Sequence, residues 1–384
     1  MNIHYPLSII NYPLSSLLTP QGRGAVASIR LRGEFDQLTH ILTRHFHVRG
    51  KHSLGVIGDI RYGTWGRNHP EDVVVCRTNE SNWEIHCHGG FVASDRILAD
   101  LASSGVTVVP WHELLAVESG TLEAEFRQLL SQTTTLKTAG YVLRQANGLF
   151  AGAIRSLRDA IANGDNVAQC VERLRNLLKW STFGRRLTQP AQVVIAGRPN
   201  VGKSSLINAL LGYTRSIVYD QPGTTRDVVT AETAFDGWPV ALSDTAGLHD
   251  TIDRLEQSGI ERAREKLSTA DCRIILLDRS QPLQDFDRQL LAEFPEAIVV
   301  AHKIDLPPTW DENQFAGRID ISSKTGEGID HLIASIVERL FPELPSEDQA
   351  IPLTDRQCDI LNKAGNFLQQ NITFNSYKKL SELL

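Results

Sequence analysis

The spacing of apolar residues changes several times along this chain, and each change predicts an element. Ala25 to Leu31 alternates apolar and polar positions as a half-buried strand does, and Phe35 to Thr43 shifts to helical spacing. Further strands are expected near Val56 to Tyr62, Asp72 to Cys76 and Trp83 to Cys87. A helix from Phe91 to Leu101 and a strand from Val106 to Val109 follow, so residues 1–112 read as an α+β module. From Glu113 to about Trp180 the pattern is helical, with stripes at Leu122, Phe126, Leu129 and Leu130, at Leu143, Ala146, Leu149 and Ala153, and at Val167, Val171, Leu174 and Leu178. Such stripes mean packed helices. Asn163-Gly164-Asp165 marks a turn between two of them, and residues 113–188 form the first part of a helical domain. Beyond the linker Thr188-Gln189-Pro190, buried-strand runs appear at Val193 to Ala196, Val240 to Ser243, Cys272 to Asp278, Ala297 to Ala301 and Ile319 to Ile321. They define a domain over 189–343, with a last helix from Gly328 to near Leu340. The tail, 350–384, supplies one or two helices, Leu353 to Leu368 being the clearest.

One stretch organises these elements. Gly197-Arg198-Pro199-Asn200-Val201-Gly202-Lys203-Ser204 is a G-x-x-x-x-G-K-S run between a buried strand and the helical segment Ser205 to Leu211. Strand, glycine loop and helix start form a cradle for phosphate. Backbone N–H groups curl around the anion, and the helix N-terminus adds positive partial charge. Asn200, Val201, Gly202, Lys203, Ser204 and Ser205 are therefore the candidate nucleotide-binding residues. Lys203 would neutralise β/γ-phosphate charge, and the Ser204 hydroxyl would hold Mg²⁺.

Composition narrows the setting. At 384 residues, 41% hydrophobic and 22% charged, the chain is long enough for two or three globular domains. A net charge of −6 gives no general basic field, so any nucleic-acid contact needs a local patch. The basic cluster Arg173, Arg175, Lys179, Arg185 and Arg186 has two readings, a solvated helix face or an RNA site, and the first is preferred. Five cysteines are scattered without a C-x-x-C, which suggests neither a disulfide framework nor a zinc ribbon. No apolar run approaches about 18 residues and the start lacks a signal-peptide pattern, so no membrane association and a cytoplasmic location are expected. Glu84, His86 and His88 share one strand face, which allows a metal reading or a polar packed strand edge, the latter preferred.

The remaining stations follow the order a GTPase needs. Gly223-Thr224-Thr225-Arg226-Asp227 lies in a polar loop, where Thr225 would close on Mg²⁺ and the γ-phosphate. Asp244-Thr245-Ala246-Gly247 follows a strand; Asp244 would hold Mg²⁺ through water and the Gly247 N–H would sense the γ-phosphate. His302-Lys303-Ile304-Asp305 stands where a base-reading Asn-Lys-x-Asp would be, with Asp305 able to accept both guanine N–H groups. Histidine replaces the usual asparagine there. Ser322-Ser323-Lys324 fits the last nucleotide loop, with serine where alanine is usual.

The runs G-R-P-N-x-G-K-S-S-L-I-N-A-L, G-T-T-R-D, D-T-A-G-L and S-G-I-E-R-A (Ser258 to Ala263) resemble the tRNA modification GTPases (MnmE/TrmE), best over about 186–340. More weakly, P-Q-G-R-G and E-I-H-C-H-G-G over 15–105 resemble that family's tetrahydrofolate-binding domain. The resemblance implies an α/β P-loop GTPase domain inserted in a helical domain, preceded by an α+β tetrahydrofolate-binding-like N-terminal domain. It also implies GTP hydrolysis with Mg²⁺ and K⁺ and without an arginine finger, dimerisation through the N-terminal and GTPase domains, and a flavoprotein partner in modifying tRNA. Asn200 matches the K⁺-ligating asparagine; Tyr219, Gln221 and Thr224 occupy the other K⁺ positions. Glu256 matches the glutamate that orients the attacking water. Arg30 and Glu84 match folate-contacting positions, but the family's folate-contacting lysine has no counterpart after Pro110. The family's C-terminal C-x-x-G-K is also absent, the chain ending Lys378-Lys379-Leu380-Ser381-Glu382-Leu383-Leu384. Two functions follow: a GTPase that helps modify the tRNA wobble uridine, or a divergent paralogue that keeps the switch as a binding or regulatory GTPase.

Overall fold

A computed structural model describes residues 13–20, 22, 24–50, 54–213, 230–244, 264–311, 315–370 and 372–384. Contacts divide the chain into two units, Met1–Gln128 with Leu384, and Leu129–Leu383.

The first unit is built on seven strands: β1 (Leu14–Leu17), β2 (Val26–Arg32), β3 (Phe46–Val48), β4 (Ile60–Trp65), β5 (Glu71–Arg77), β6 (Asn82–His88) and β7 (Thr107–Val108). Their order is β3-β4-β5-β6-β2-β1-β7, antiparallel except for the parallel pair β1 and β7. Alternation sets the two faces. Ile29, Leu31, Val73, Val75 and Ile85 point into a core with Leu38 and Leu42 of α1 (Phe35–His45) and Ile97 and Leu101 of α2 (Phe91–Ser103). Ser28, Arg30, Glu84 and His86 occupy the opposite face, and Arg30 lies directly across from Glu84. The expected strand at Val56 to Tyr62 instead begins at Ile60, because Gly58 takes φ +83° in a turn that Asp59 N–H closes onto the Val56 carbonyl at 3.3 Å. The Gly24 and Gly89 backbones nearly touch: a Cβ on Gly89 would sit 1.8 Å from the Gly24 carbonyl oxygen, so only glycine fits there. α3 (Trp111–Ser119) completes this unit, and α4 (Thr121–Gln132) runs out of it.

The second unit combines helices with a six-stranded sheet. α5 (Leu136–Arg144), a π-turn (Gln145–Leu149), α6 (Phe150–Ala162), α7 (Val167–Leu178) and α8 (Ser181–Arg186) come before the sheet. The stripe expected through Leu143 and Ala153 is broken at Gly148, whose φ of 104° is not helical. The break carries buried Gln145, whose side chain donates to the Gln349 carbonyl at 3.1 Å and accepts from Ile351 N–H at 3.1 Å. The sheet order is β13-β12-β11-β8-β10-β9, from β8 (Ala191–Ala196), β9 (Thr230–Phe235), β10 (Trp238–Asp244), β11 (Cys272–Asp278), β12 (Ile298–His302) and β13 (Ile319–Ile321). Only β9 runs antiparallel to its neighbour. α9 (Lys203–Tyr213), α10 (Asp285–Glu293) and α11 (Ile329–Leu340) connect or follow these strands. Buried on both faces, the central strands read as continuous apolar runs such as Val193 to Ala196 and Ile274 to Leu277. α12 (Asp355–Gln369) packs against α7, and α13 (Thr373–Ser381) against α6. Among the described residues, no helix is long and apolar enough to cross a membrane.

Candidate functional site

The chain leaves β8 and builds first toward β10, then toward β11, so the loop after β8 sits where the sheet's winding reverses. In open α/β sheets that position, at the carboxyl ends of the strands, is where ligands bind. The parallel order also puts the ends of β10, β11, β12 and β13 on the same edge of the sheet.

Within the loop, Gly197 lies so close to β11 that a Cβ would fall 2.5 Å from the Leu276 carbonyl oxygen, while Asn200 and Gly202 take φ values of 62° and 106°. Lys203 opens α9 from a buried position, and its ammonium donates to the carbonyls of Gly197 at 3.0 Å and Arg198 at 2.9 Å. Burial holds its pKa below the ordinary lysine value. Ser204 Oγ donates to Asp244 Oδ2 at 3.3 Å, bringing a hydroxyl and a carboxylate together at the N-terminus of α9. Oxygen donors of this kind suit Mg²⁺. Ser205 lies exposed on the first turn of the same helix.

The end of β12 fastens this loop in place. His302 is buried; its Nδ1 lies 2.8 Å from the Val201 carbonyl, and its Nε2 lies 2.9 Å from Ser323 Oγ. A carbonyl only accepts, so Nδ1 carries the proton and Nε2 is the acceptor. Burial pushes the His302 pKa below its ordinary value. Lys303, at φ 65°, donates to the Asn200 carbonyl at 3.1 Å and to Asp278 Oδ2 at 2.6 Å. Burial pushes the Asp278 pKa up, but hydrogen bonds from Lys303 and Ser280 outweigh it and leave the carboxyl below its usual range. Asp305 Oδ1 accepts the Ser322 hydroxyl at 2.8 Å, which lowers its pKa, and its Oδ2 lies 4.0 Å from Lys324 Nζ. The Ser322 oxygen also accepts the N–H groups of Lys324 and Thr325 at 3.3 Å each.

The structure thus gathers Asn200 to Ser205, Asp244, His302, Lys303, Asp305 and Ser322 to Lys324 at one edge of the sheet. Tyr219, Gln221, Thr224, Thr225, Thr245, Ala246, Gly247 and Glu256 lie outside the described residues. Sequence reading missed two supports. One is Asp278, the anchor of Lys303, whose signal was a carboxylate ending the apolar run of β11. The other is the pair Arg198 and Asp287, 2.9 Å apart with side chains 9% and 1% exposed. No local pattern signals a pair so distant in sequence.

The other candidates resolve individually. Arg30 Nη2 pairs with Glu84 at 2.7 Å and Nη1 with Glu118 at 3.1 Å. Both terminal nitrogens thus make ion pairs within the protein, while the buried Arg30 Nε has no hydrogen-bond partner among the described residues. His86 Nδ1 lies 2.8 Å from Ser28 Oγ, and His88 Nδ1 lies 2.6 Å from Glu71. Among the described residues, no group of three or more His, Cys, Asp or Glu could hold a metal ion. The basic cluster is largely paired: Arg175 with Glu172, Lys179 with Glu343, Arg185 with Asp355 and Arg186 with Asp271, while Arg173 donates to Ser156.

Comparison with known proteins agrees with this geometry. A family described as 50S ribosome-binding GTPase matches residues 192–303. The tRNA modification GTPase MnmE of Lactiplantibacillus plantarum is 32% identical, over 93% of this chain and 87% of that protein. The one from Geobacillus kaustophilus is 34% identical, over 91% and 87% respectively. Among solved structures, the G domain of the T. maritima FeoB iron transporter covers 39% of this chain and 99% of that one at 30% identity, with a TM-score of 0.30 that carries no argument about fold. A P-loop with its base-side loops on one sheet edge, together with relatives alike over nine-tenths of the chain, places the protein in the MnmE family of tRNA modification GTPases as a GTP-hydrolysing enzyme.

Proposed function

We propose that this GTPase acts in modification of the tRNA wobble uridine, with Mg²⁺ and K⁺ assisting hydrolysis. The observation that carries the reading is the meeting of Lys203, the Ser204 and Asp244 oxygens, and the Asp305 and Ser322 loops at one switch point. Lys203 neutralises the β- and γ-phosphates, and the loop amides before it hold their oxygens. Ser204 and Thr225 are the residues for Mg²⁺, with Asp244 acting through water. Asn200 is the side-chain ligand for K⁺, joined by Tyr219, Gln221 and Thr224. Bound cations there would offset the negative charge developing between the β- and γ-phosphates. Glu256 orients the attacking water, Thr245 to Gly247 respond to the γ-phosphate, and Asp305 accepts the guanine N–H groups.

In this reading, 189–343 is the GTPase domain and is inserted in a helical domain made of 113–188 and 350–384; packing of α12 on α7 and α13 on α6 supports it. Residues 1–112 form the N-terminal domain, through which, with the GTPase domain, the chain pairs with a second copy. The relatives' names and their similarity over most of the chain support a role on tRNA; a flavoprotein partner belongs to the reading by family resemblance alone.

The test is a strain lacking its own wobble-uridine enzyme of this family, complemented with this chain. Restored modification is expected, with GTP turnover faster in K⁺ than in Na⁺ and slowed in Glu256→Ala at unchanged affinity. Normal turnover without restored modification would leave a regulatory GTPase instead; equal rates in the two salts would remove K⁺ from the mechanism.

A further inference from the structure

We infer that His302 is a positioning residue and not a base-reading one: it locks the phosphate loop to the last nucleotide loop, so guanine is selected at its N1–H and N2–H edge by Asp305, with no side-chain donor from position 302 at its N7 and O6 edge. The inference rests on the reading of the site as a GTP site.

Hydrogen-bond capacity decides the matter. A neutral imidazole has one donor and one acceptor, and a carboxamide at the same place has two donors and one acceptor oxygen. Here the donor, Nδ1–H, is committed to the Val201 carbonyl at 2.8 Å. The acceptor, Nε2, is committed to Ser323, with Oγ at 2.9 Å and the backbone N–H at 3.4 Å. Neither nitrogen has capacity left for a base. Nor has the ring room to turn away, because it lies flush against the loop: a Cβ on Gly202 would fall 2.3 Å from His302 Cε1 and 2.5 Å from Nδ1. A side chain at 202 would collide with the ring, and the φ of +106° there separately favours glycine. Asp305 differs. Its Oδ1 takes the Ser322 hydroxyl, while Oδ2 is 4.0 Å from Lys324 Nζ, beyond hydrogen-bond length. That carboxylate keeps lone pairs for two base N–H groups; position 302 keeps nothing.

A guanine nucleotide with carbon in place of N7 reads this out. The full-length chain, folded and supplied with Mg²⁺, is titrated with GTP and with 7-deaza-GTP, alongside a His302→Asn variant. The wild type is expected to bind both within about two-fold. The variant, whose second amide N–H is free, is expected to favour GTP by roughly 3- to 10-fold, the worth of one ordinary hydrogen bond. A merely structural role for residue 302 would alter both affinities together and leave their ratio alone. A wild type that binds 7-deaza-GTP more than about five-fold weaker overturns the inference. Equal affinities in both proteins leave His302 its positioning role and show that asparagine at 302 does not reach that edge either. If the variant does not fold, the wild-type ratio decides alone. Absence of GTP binding would overturn the site reading and this inference with it, whereas GTP binding with a 7-deaza penalty overturns this inference only.

Discussion

Two successive residues, His302 and Lys303, hold the carbonyls of Val201 and Asn200, so the curvature of the phosphate loop depends on side chains about a hundred positions away. The imidazole makes this support sensitive to pH. Because burial lowers its pKa in the fold, the unfolded chain takes up the proton first as pH falls. The contribution is intact above the ordinary value of 6.5 and is lost as pH drops through the folded-state value, with a slope of at most about 1.4 kcal/mol per pH unit. Denaturant unfolding from pH 8 to 5 should therefore show a steeper acid loss in the wild type than in His302→Asn. His45, also lowered by burial, contributes to both and cancels. Identical slopes would contradict the buried neutral ring. At this scale Lys203, Ser204 and Asp305 were legible in the sequence, because phosphate and base chemistry need those residue types at fixed local spacing. Asp287 was not, since a carboxylate that acts through a distant partner leaves no local period, and Asp278 showed only as a carboxylate ending an apolar run.

Among the elements, α10 steadies the loop through Asp287, which accepts from buried Arg198 and also from the Gln284 N–H at the helix cap. Removing one partner of a buried pair leaves an uncompensated charge, which costs about 3–5 kcal/mol. Asp287→Ala should lose that much in denaturant unfolding of the nucleotide domain; a loss below about 1 kcal/mol would show the pair to be dispensable. The main strands of this domain were readable, because a run such as Ile274 to Leu277 can only be a segment buried on both faces, whereas α10 was not expected from the sequence. β1 and β3 were less readable: at 4 and 3 residues they are too short to show a period. β9 escaped as well, its Thr-Ala-Glu-Thr-Ala-Phe sequence being that of a polar edge strand that pairs only with β10.

Across the whole molecule, the sheet order turns motifs strung along more than a hundred residues into one site. Their succession was legible because parallel strands present successive loops at one edge. Their bracing was not: Gln145 bonds to Gln349 and Ile351 across some two hundred residues, and only the fold reveals it. Family membership then makes the protein a GTP-hydrolysing enzyme. The claim on which all of this depends is that the loop around Lys203 binds a guanine nucleotide. Calorimetric titration of the full chain with Mg²⁺ measures it directly. Saturable heat with GTP, weaker or none with ATP, and none with GTP in Lys203→Ala is the predicted result; no heat with any purine nucleotide from folded wild-type protein would contradict it.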